Sequence, residues 1–562
     1  MFLPTTPEEV ASLGWHRLDV ILITGDSYVD SPFIGAAVIG KVLLRQGYRV
    51  GIIAQPDTLS GSDITRLGEP LLFWGVTSGS VDSMVANYTA AGKRRKHDDY
   101  TPGGLNDRRP DRAIIGYSNL IRRFFKPTVP IVIGGIEASL RRIPHYDFRI
   151  HAVRRSILFD AKADILVYGM GEQAVLSLAG RLRQGEPFTD TCGICYISGR
   201  ARNDCIELAP FETVSVDPRS FSRMFQIFYQ NNDPVTAKGL CQKHGSRYLI
   251  HTPPCPPLSQ SELDAIHDLD YERELHPYYR KMGDVRALET IRFSIATHRG
   301  CYGECGFCAI AVHQGRTVQC RSQASILREV KALTAHSAFK GIISDVGGPT
   351  ANMYGFECRK KRLKGACGDK HCLHPEICEH LRADHRHQIA LLRAIREIKA
   401  VRHAFVASGI RYDLILSDRK FGLEYLTEVV NHHTGGQMKI APEHTEKDVL
   451  DLMGKPGMDS LIAFKRLFDS ICETTGKRLF LTYYFMAAHP GCTEAHMGRL
   501  KAFVSRNLHL IPEQVQIFTP TPSTVSTLIY HTGVHPVSGA PVFCEKQPKK
   551  KEKQKQILLR RS

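Results

Sequence analysis

Three cysteines at 301, 305 and 308, spaced C-x3-C-x2-C in THRGCYGECGFCAI, follow directly on the apolar run IRFSIAT (291–297). Nothing else in the chain constrains its fold as tightly. Three thiolates on one short loop can hold three corners of a cubane iron–sulfur cluster. With no fourth ligand nearby, one iron stays open to a small chelating molecule. Zinc is the competing reading, but zinc sites usually pair cysteines with a second pair or with histidines at fixed spacing, and no such partner follows here. Seven of the sixteen cysteines fall in two groups between Cys301 and Cys378. In a reducing compartment, grouped thiols are metal or cluster ligands more often than disulfides.

The run before the triad is the first of six short apolar segments. The others are KGIISDVGG (340–348), HAFVASG (403–409), QMKIAPE (437–443), RLFLTYYFMAAH (478–489) and EQVQIFTPTP (513–522), separated by helical spacings such as Leu391/Ile395/Ile398. Six strand–helix units predict a partial (β/α)6 barrel, with Gly, Pro and polar residues gathered at the C-terminal strand ends where such barrels place their chemistry. Upstream, DVILITG (19–25), a helical stretch at 36–47 and YRVGIIA (48–54) form a βαβ unit, and PIVIGGIE (130–137) and DILVYGMGE (164–172) extend it. That pattern predicts an N-terminal doubly wound α/β domain. Residues 93–112 are too polar for a core and are expected to form a loop over its crevice. The expected boundaries are 1–195 for the α/β domain, 196–288 for a connector and 289–535 for the barrel. A Cys-rich insertion falls at 351–385, and a basic disordered tail at 536–562. CGIC (192–195) lacks a partner pair and reads as incidental.

At 43% hydrophobic and 23% charged residues the composition is that of a globular protein. No run approaches the ~20 apolar residues needed to cross a bilayer, so no membrane is expected and the location is read as cytoplasmic. The net charge is +17, of which residues 545–562 contribute +6 (eight Lys/Arg against two Glu). A basic surface can attract nucleic acid, although a basic tail without aromatics reads first as a solvated end.

The triad, the aromatic Phe307 before its third cysteine, and its place after barrel strand one resemble the radical S-adenosylmethionine (SAM) superfamily. GGIEASLRRIPHYD (134–147), SDVGGPTANMYG (344–355), KIAPEH (439–444) and QIFTPTPSTVST (516–527) resemble its YgiQ-type members. The resemblance implies that Cys301, Cys305 and Cys308 ligate a [4Fe-4S] cluster whose open iron binds SAM. It implies that reductive cleavage of SAM yields a 5′-deoxyadenosyl radical, and that an electron donor such as flavodoxin or ferredoxin serves the cluster. Gly347 and Gly348 fall where the superfamily carries a Gly-rich turn near the methionine amino group, and Glu443, at the end of a later strand, is a further candidate SAM contact.

The N-terminal domain resembles the cobalamin-binding fold, whose signature is D-x-H-x-x-G. Here Asp30-Ser31-Pro32-Phe33-Ile34-Gly35 places Pro32 where the cobalt-ligating His would stand, so cobalamin binding is not expected. A candidate second metal site comprises Cys358, Cys367, Cys372 and Cys378, with His371, His374 and His380 interleaved. The stretch has almost no apolar content, so a metal is expected to substitute for a core, with structural zinc favoured over an auxiliary cluster. Two further functions stay open: an RNA-modifying, methylthiotransferase-like enzyme, and a non-catalytic iron–sulfur or zinc protein that binds nucleic acid.

Overall fold

The structure is a computed structural model that describes residues 1–560. It divides into two compact units, residues 1–256 with 265–292, and 257–264 with 293–562. None of the described helices is long and apolar enough to cross a membrane.

The first unit grows from the predicted βαβ pattern. Strands β1 (Val20–Thr24), β2 (Val50–Ala54), β3 (Phe73–Thr77), β4 (Ile131–Gly134) and β5 (Ile165–Val167) pair in parallel in the order β2-β1-β3-β4-β5. Their near-continuous Val and Ile content suits strands covered on both faces. Alternate residues confirm it. Val20, Leu22, Val50 and Ile52 pack with Ala37 and Leu43 of α1 (Gly35–Arg45) and Leu178 of α2 (Glu172–Gln184). Ile21, Ile23, Ile53 and Trp74 pack on the opposite face with Ile114 and Tyr117.

The sheet does not stop at β5. β6 (Ile194–Ser198) joins it antiparallel, followed by β9 (Arg247–His251), β8 (Gly239–His244) and β7 (Cys205–Leu208), which makes nine strands among the described residues. The stretch read as a connector therefore supplies strands to this sheet. A signal was present: Gly245-Ser246 joins β8 to β9 as a two-residue hairpin, with Gly245 at φ +61°. Cys192 of CGIC is not incidental either; it is disulfide-bonded to Cys255.

The second unit is the barrel. β10 (Ser294–Ala296) pairs in parallel with β12 (Asp345–Gly347), and β11 (Ile342–Ile343) pairs with β13 (His403–Ala404). A parallel bridge from Ile410 to Ile440 leads to β14 (Gln437–Glu443), and β15 (Phe480–Ala487) and β16 (Gln514–Ile517) continue the series. With β11 and β12 as two pieces of one strand, these are the six expected segments in sequential order.

The basic tail is a correction. Pro548–Leu559 forms helix α4, which packs against the helix Glu494–Phe503 (α3) and buries Lys551, Gln554 and Leu558. Proline at its first position and a run of Lys, Glu, Gln and Leu favour it locally. Hydrophobic periodicity missed it because the buried stripe holds a single apolar residue. Gln554 accepts the Ala488 N–H (2.9 Å) and donates to the Cys492 carbonyl (3.1 Å). Both backbone partners are buried, so Gln554→Ala should lower stability by about 1–3 kcal/mol in thermal unfolding, against no change for a free tail.

Lys551 Nζ donates to the Tyr530 hydroxyl (2.9 Å), and burial holds its ammonium down to about 8. A lysine whose folded pKa lies below its unfolded value destabilises when charged in both states. Stability should therefore rise as pH climbs from about 8 towards 10.5, and Lys551→Met should lose that rise.

Candidate active site

The loop carrying the triad is held from both sides. Gly300 sits at φ +80°, where a side chain would run into the Thr317 carbonyl at 2.2 Å. Downstream, Gly306 N–H donates to Met453 O (2.9 Å), Ser526 N–H donates to Gly306 O (2.8 Å), and Cys308 N–H donates to Cys305 O (2.9 Å). Glu304, between the first two cysteines, adopts φ +45° and buries its carboxylate against Arg316 (3.1 Å) and His371 Nδ1 (3.5 Å). Burial opposes the charge on Glu304, but His371 and Arg316 together hold its carboxyl below the ordinary range.

The sulfurs have their own neighbours. Gly303 N–H points at Cys301 Sγ (3.4 Å), Thr350 Oγ1 lies 3.6 Å from the same sulfur, and Arg411 Nη1 lies 3.7 Å from Cys305 Sγ. Burial pushes the Cys301 thiol up and the Cys308 thiol up to about 12, with the nearby Cys305 adding to both. As free thiols they keep their protons, and only a bound cation would draw those protons off.

Among the described residues, the three ligand atoms that come within 4.8 Å of one another belong to Glu446, Asp448 and His496, not to these cysteines.

Strand ends carry the other predicted residues. Thr297 N–H donates to Gly347 O (2.7 Å) where β12 closes. A Cβ on Gly348 would stand 2.6 Å from the His298 ring, so glycine is needed there for close passage. Glu443 ends β14 at φ +66°, its Oε1 3.7 Å from Lys455 Nζ. Burial pushes the Glu443 carboxyl up; Lys455 and Arg411 pull the other way. Arg411 thus sits within electrostatic reach of both Glu443 and the thiols. Sequence reasoning missed it, though GIRYD directly follows the third strand segment, at the end where barrel chemistry gathers.

The cysteine-rich insertion differs from expectation. Cys358, Cys372 and Cys378 join a small apolar core of Tyr302, Met353, Phe356, Leu373 and Leu381, together with Cys320, while Cys367 is not among its members. Among the described residues, no three of the four insertion cysteines bring their sulfurs within 4.8 Å. Met353, Phe356 and Leu381, themselves within the insertion, give this stretch apolar packing that its composition did not announce.

In the first unit, the order β2-β1-β3 places a crevice beyond the C-terminal ends of β1 and β3. Arg109, from the polar loop 93–112, lies there fully buried, pairing with Asp26 (2.9 Å) and Asp98 (3.0 Å).

The family model for the radical SAM N-terminal region matches residues 2–294. A UPF0313 protein of Fusobacterium nucleatum is 55% identical over 99% of this chain and 98% of its own length. One from Thermotoga maritima is 48% identical over 100% of this chain and 98% of its own. This chain belongs to the UPF0313 family of radical SAM proteins.

Among solved structures, the radical SAM methyltransferase TsrM from Kitasatospora setae, with cobalamin and a [4Fe-4S] cluster bound, matches at TM-score 0.50 and 15% identity, over 90% of this chain and 76% of that one. The cobalamin-dependent SAM radical enzyme OxsB with aqua-cobalamin matches at TM-score 0.50 and 12% identity, over 92% of this chain and 55% of that one. The radical SAM chain thus shares its fold with enzymes solved with cobalamin, and the exclusion of cobalamin is withdrawn. Pro32 offers no side-chain nitrogen to a metal, whereas the crevice of this fold is made by strand order, which a single residue does not alter.

Proposed function

We propose that this chain is an enzyme that cleaves SAM reductively. The observation that carries the reading is the three-cysteine loop at the C-terminal end of barrel strand one, with the Gly303 N–H and Arg411 Nη1 facing two of its sulfurs. In it, Cys301, Cys305 and Cys308 hold a [4Fe-4S] group. When bound, that group supplies one electron to the SAM sulfonium, so that the carbon–sulfur bond opens to methionine and a 5′-deoxyadenosyl radical.

The chain's own residues bind and orient. Gly347 and Gly348 let backbone approach the methionine end of SAM, and Glu443 offers a carboxyl whose charge state depends on Lys455 and Arg411. The loop contacts of Gly306 and Cys308 hold the cysteines in place. Electrons come from a small donor such as flavodoxin or ferredoxin.

The test is anaerobic incubation of the iron-reconstituted chain with SAM and dithionite. 5′-Deoxyadenosine formed in proportion to enzyme supports the reading. None formed by a protein that retains about four irons overturns it.

A further inference from the structure

Arg411 is buried, and every part of it is held. Its backbone N–H donates to Asn352 Oδ1 (2.8 Å), and Asn352 Nδ2 donates back to the Arg411 carbonyl (3.0 Å). Asn352 is itself fully buried, with its amide 3.3 Å from His385 Nε2, and His385 is fixed by Asp418 (2.8 Å). At the far end of the side chain, Asp413 grips the guanidinium in bidentate fashion, Nε to Oδ1 at 2.9 Å and Nη2 to Oδ2 at 2.6 Å. That clamp leaves Nη1 directed at Cys305 Sγ, 3.7 Å away.

Gly303 makes the approach possible. A Cβ there would stand 3.2 Å from Cys301 Sγ and 3.3 Å from Arg411 Nη1, so a side chain would crowd the space in which the guanidinium meets the sulfurs. A planar fork with two of its three nitrogens committed to a carboxylate is a rigid donor for the third. Because Asp413 balances its charge locally, what reaches the cysteine is mainly a directed N–H.

Resting on the reading that the triad holds an iron–sulfur cluster, we propose that Arg411 is a positioning residue that hydrogen-bonds the Cys305 thiolate and raises the reduction potential of the cluster. Reduction adds one electron and therefore negative charge, which spreads onto the ligand sulfurs. A donor fixed at one sulfur stabilises the reduced state more than the oxidised one, and hydrogen bonds to ligand sulfurs are an established lever on such potentials. The same clamp fixes the orientation of the Cys305 side chain, so the donor requires no reorganisation when the electron arrives.

The experiment is a dithionite titration of the anaerobically reconstituted full-length protein, with reduced cluster read by electron paramagnetic resonance and iron measured in parallel. The central variant is the double substitution Arg411→Met with Asp413→Asn, which removes donor and counter-charge together and leaves no buried charge unpaired. At the wild-type midpoint its ratio of reduced to oxidised cluster should fall about tenfold, equivalent to 59 mV for a one-electron couple. A ratio within twofold of wild type, at equal iron content, overturns the proposal.

Arg411→Lys keeps the charge opposite Asp413 but cannot hold that carboxylate with two donors and still reach the sulfur. It should show about a threefold fall. Should the double variant fail to retain iron, the lysine variant decides alone, and an unchanged ratio there overturns the proposal. A wild-type protein that binds no reducible cluster would instead sink the iron–sulfur reading itself, a result distinct from either.

Discussion

Replacing Cys305 by alanine is expected to reduce 5′-deoxyadenosine formation to the level of the enzyme-free control while the chain keeps its fold. The group needs three thiolates, and two leave a second iron without a protein ligand. Structurally the change is small. Cys305 is only half-buried, its sulfur contacts Arg411 at the long distance of 3.7 Å, and its carbonyl still accepts the Cys308 N–H. Thermal unfolding should move by no more than about 1–2 kcal/mol, within the usual range for a point substitution. Measured together, iron content, product and melting separate the chemical loss from a folding defect. Undiminished product from this variant would show that the triad is not where SAM is cleaved.

The largest stability effect should lie far from that chemistry. Arg109 is fully buried at the ends of β1 and β3, donating from Nε and Nη2 to Asp98 (3.1 and 3.0 Å) and from Nη2 to Asp26 (2.9 Å), with Nη1 on the Ser78 carbonyl. Removing the guanidinium takes the cationic partner from two buried carboxylates. Gly79, whose Cβ would fall 2.1 Å from Asp26, shows how closed the site is. Breaking a buried pair from one side costs about 3–5 kcal/mol. Arg109→Met should therefore lower the denaturation free energy by that amount. Arg386→Met, which breaks an exposed bond to Asp384, should leave stability close to that of the wild type. Equal shifts for the two variants would mean that the buried network contributes no more than a surface pair.

What the sequence showed and what it hid follow from which physical signal each element carries. The six barrel segments were legible because each is a short apolar run punctuated by Gly, Pro or polar residues, and the parallel sheet was legible because strands covered on both faces read as continuous Val and Ile. β7 to β9 were hidden, since CIEL, GLCQKH and RYLIH mix polar and apolar residues, and only the Gly-Ser turn betrayed the hairpin. Helix α4 was hidden because Lys551 and Gln554 are buried through hydrogen bonds, which composition cannot register. The triad was legible from spacing alone. Arg411 was not, because its role depends on Asp413 and Asn352 holding it against Cys305, and that convergence exists only in three dimensions.

The placement of α4 has a consequence for how the protein is made. The buried Ala488 N–H and Cys492 carbonyl find their partner in Gln554, a few residues from the end of the chain. During synthesis the first unit has all its residues once position 292 has emerged. The second unit cannot complete these hydrogen bonds until residue 554 has been made, tens of seconds later at about 5–20 residues per second. For that interval the Ala488 N–H and the Cys492 carbonyl are without their side-chain partner, so the packing around them closes only after Gln554 arrives.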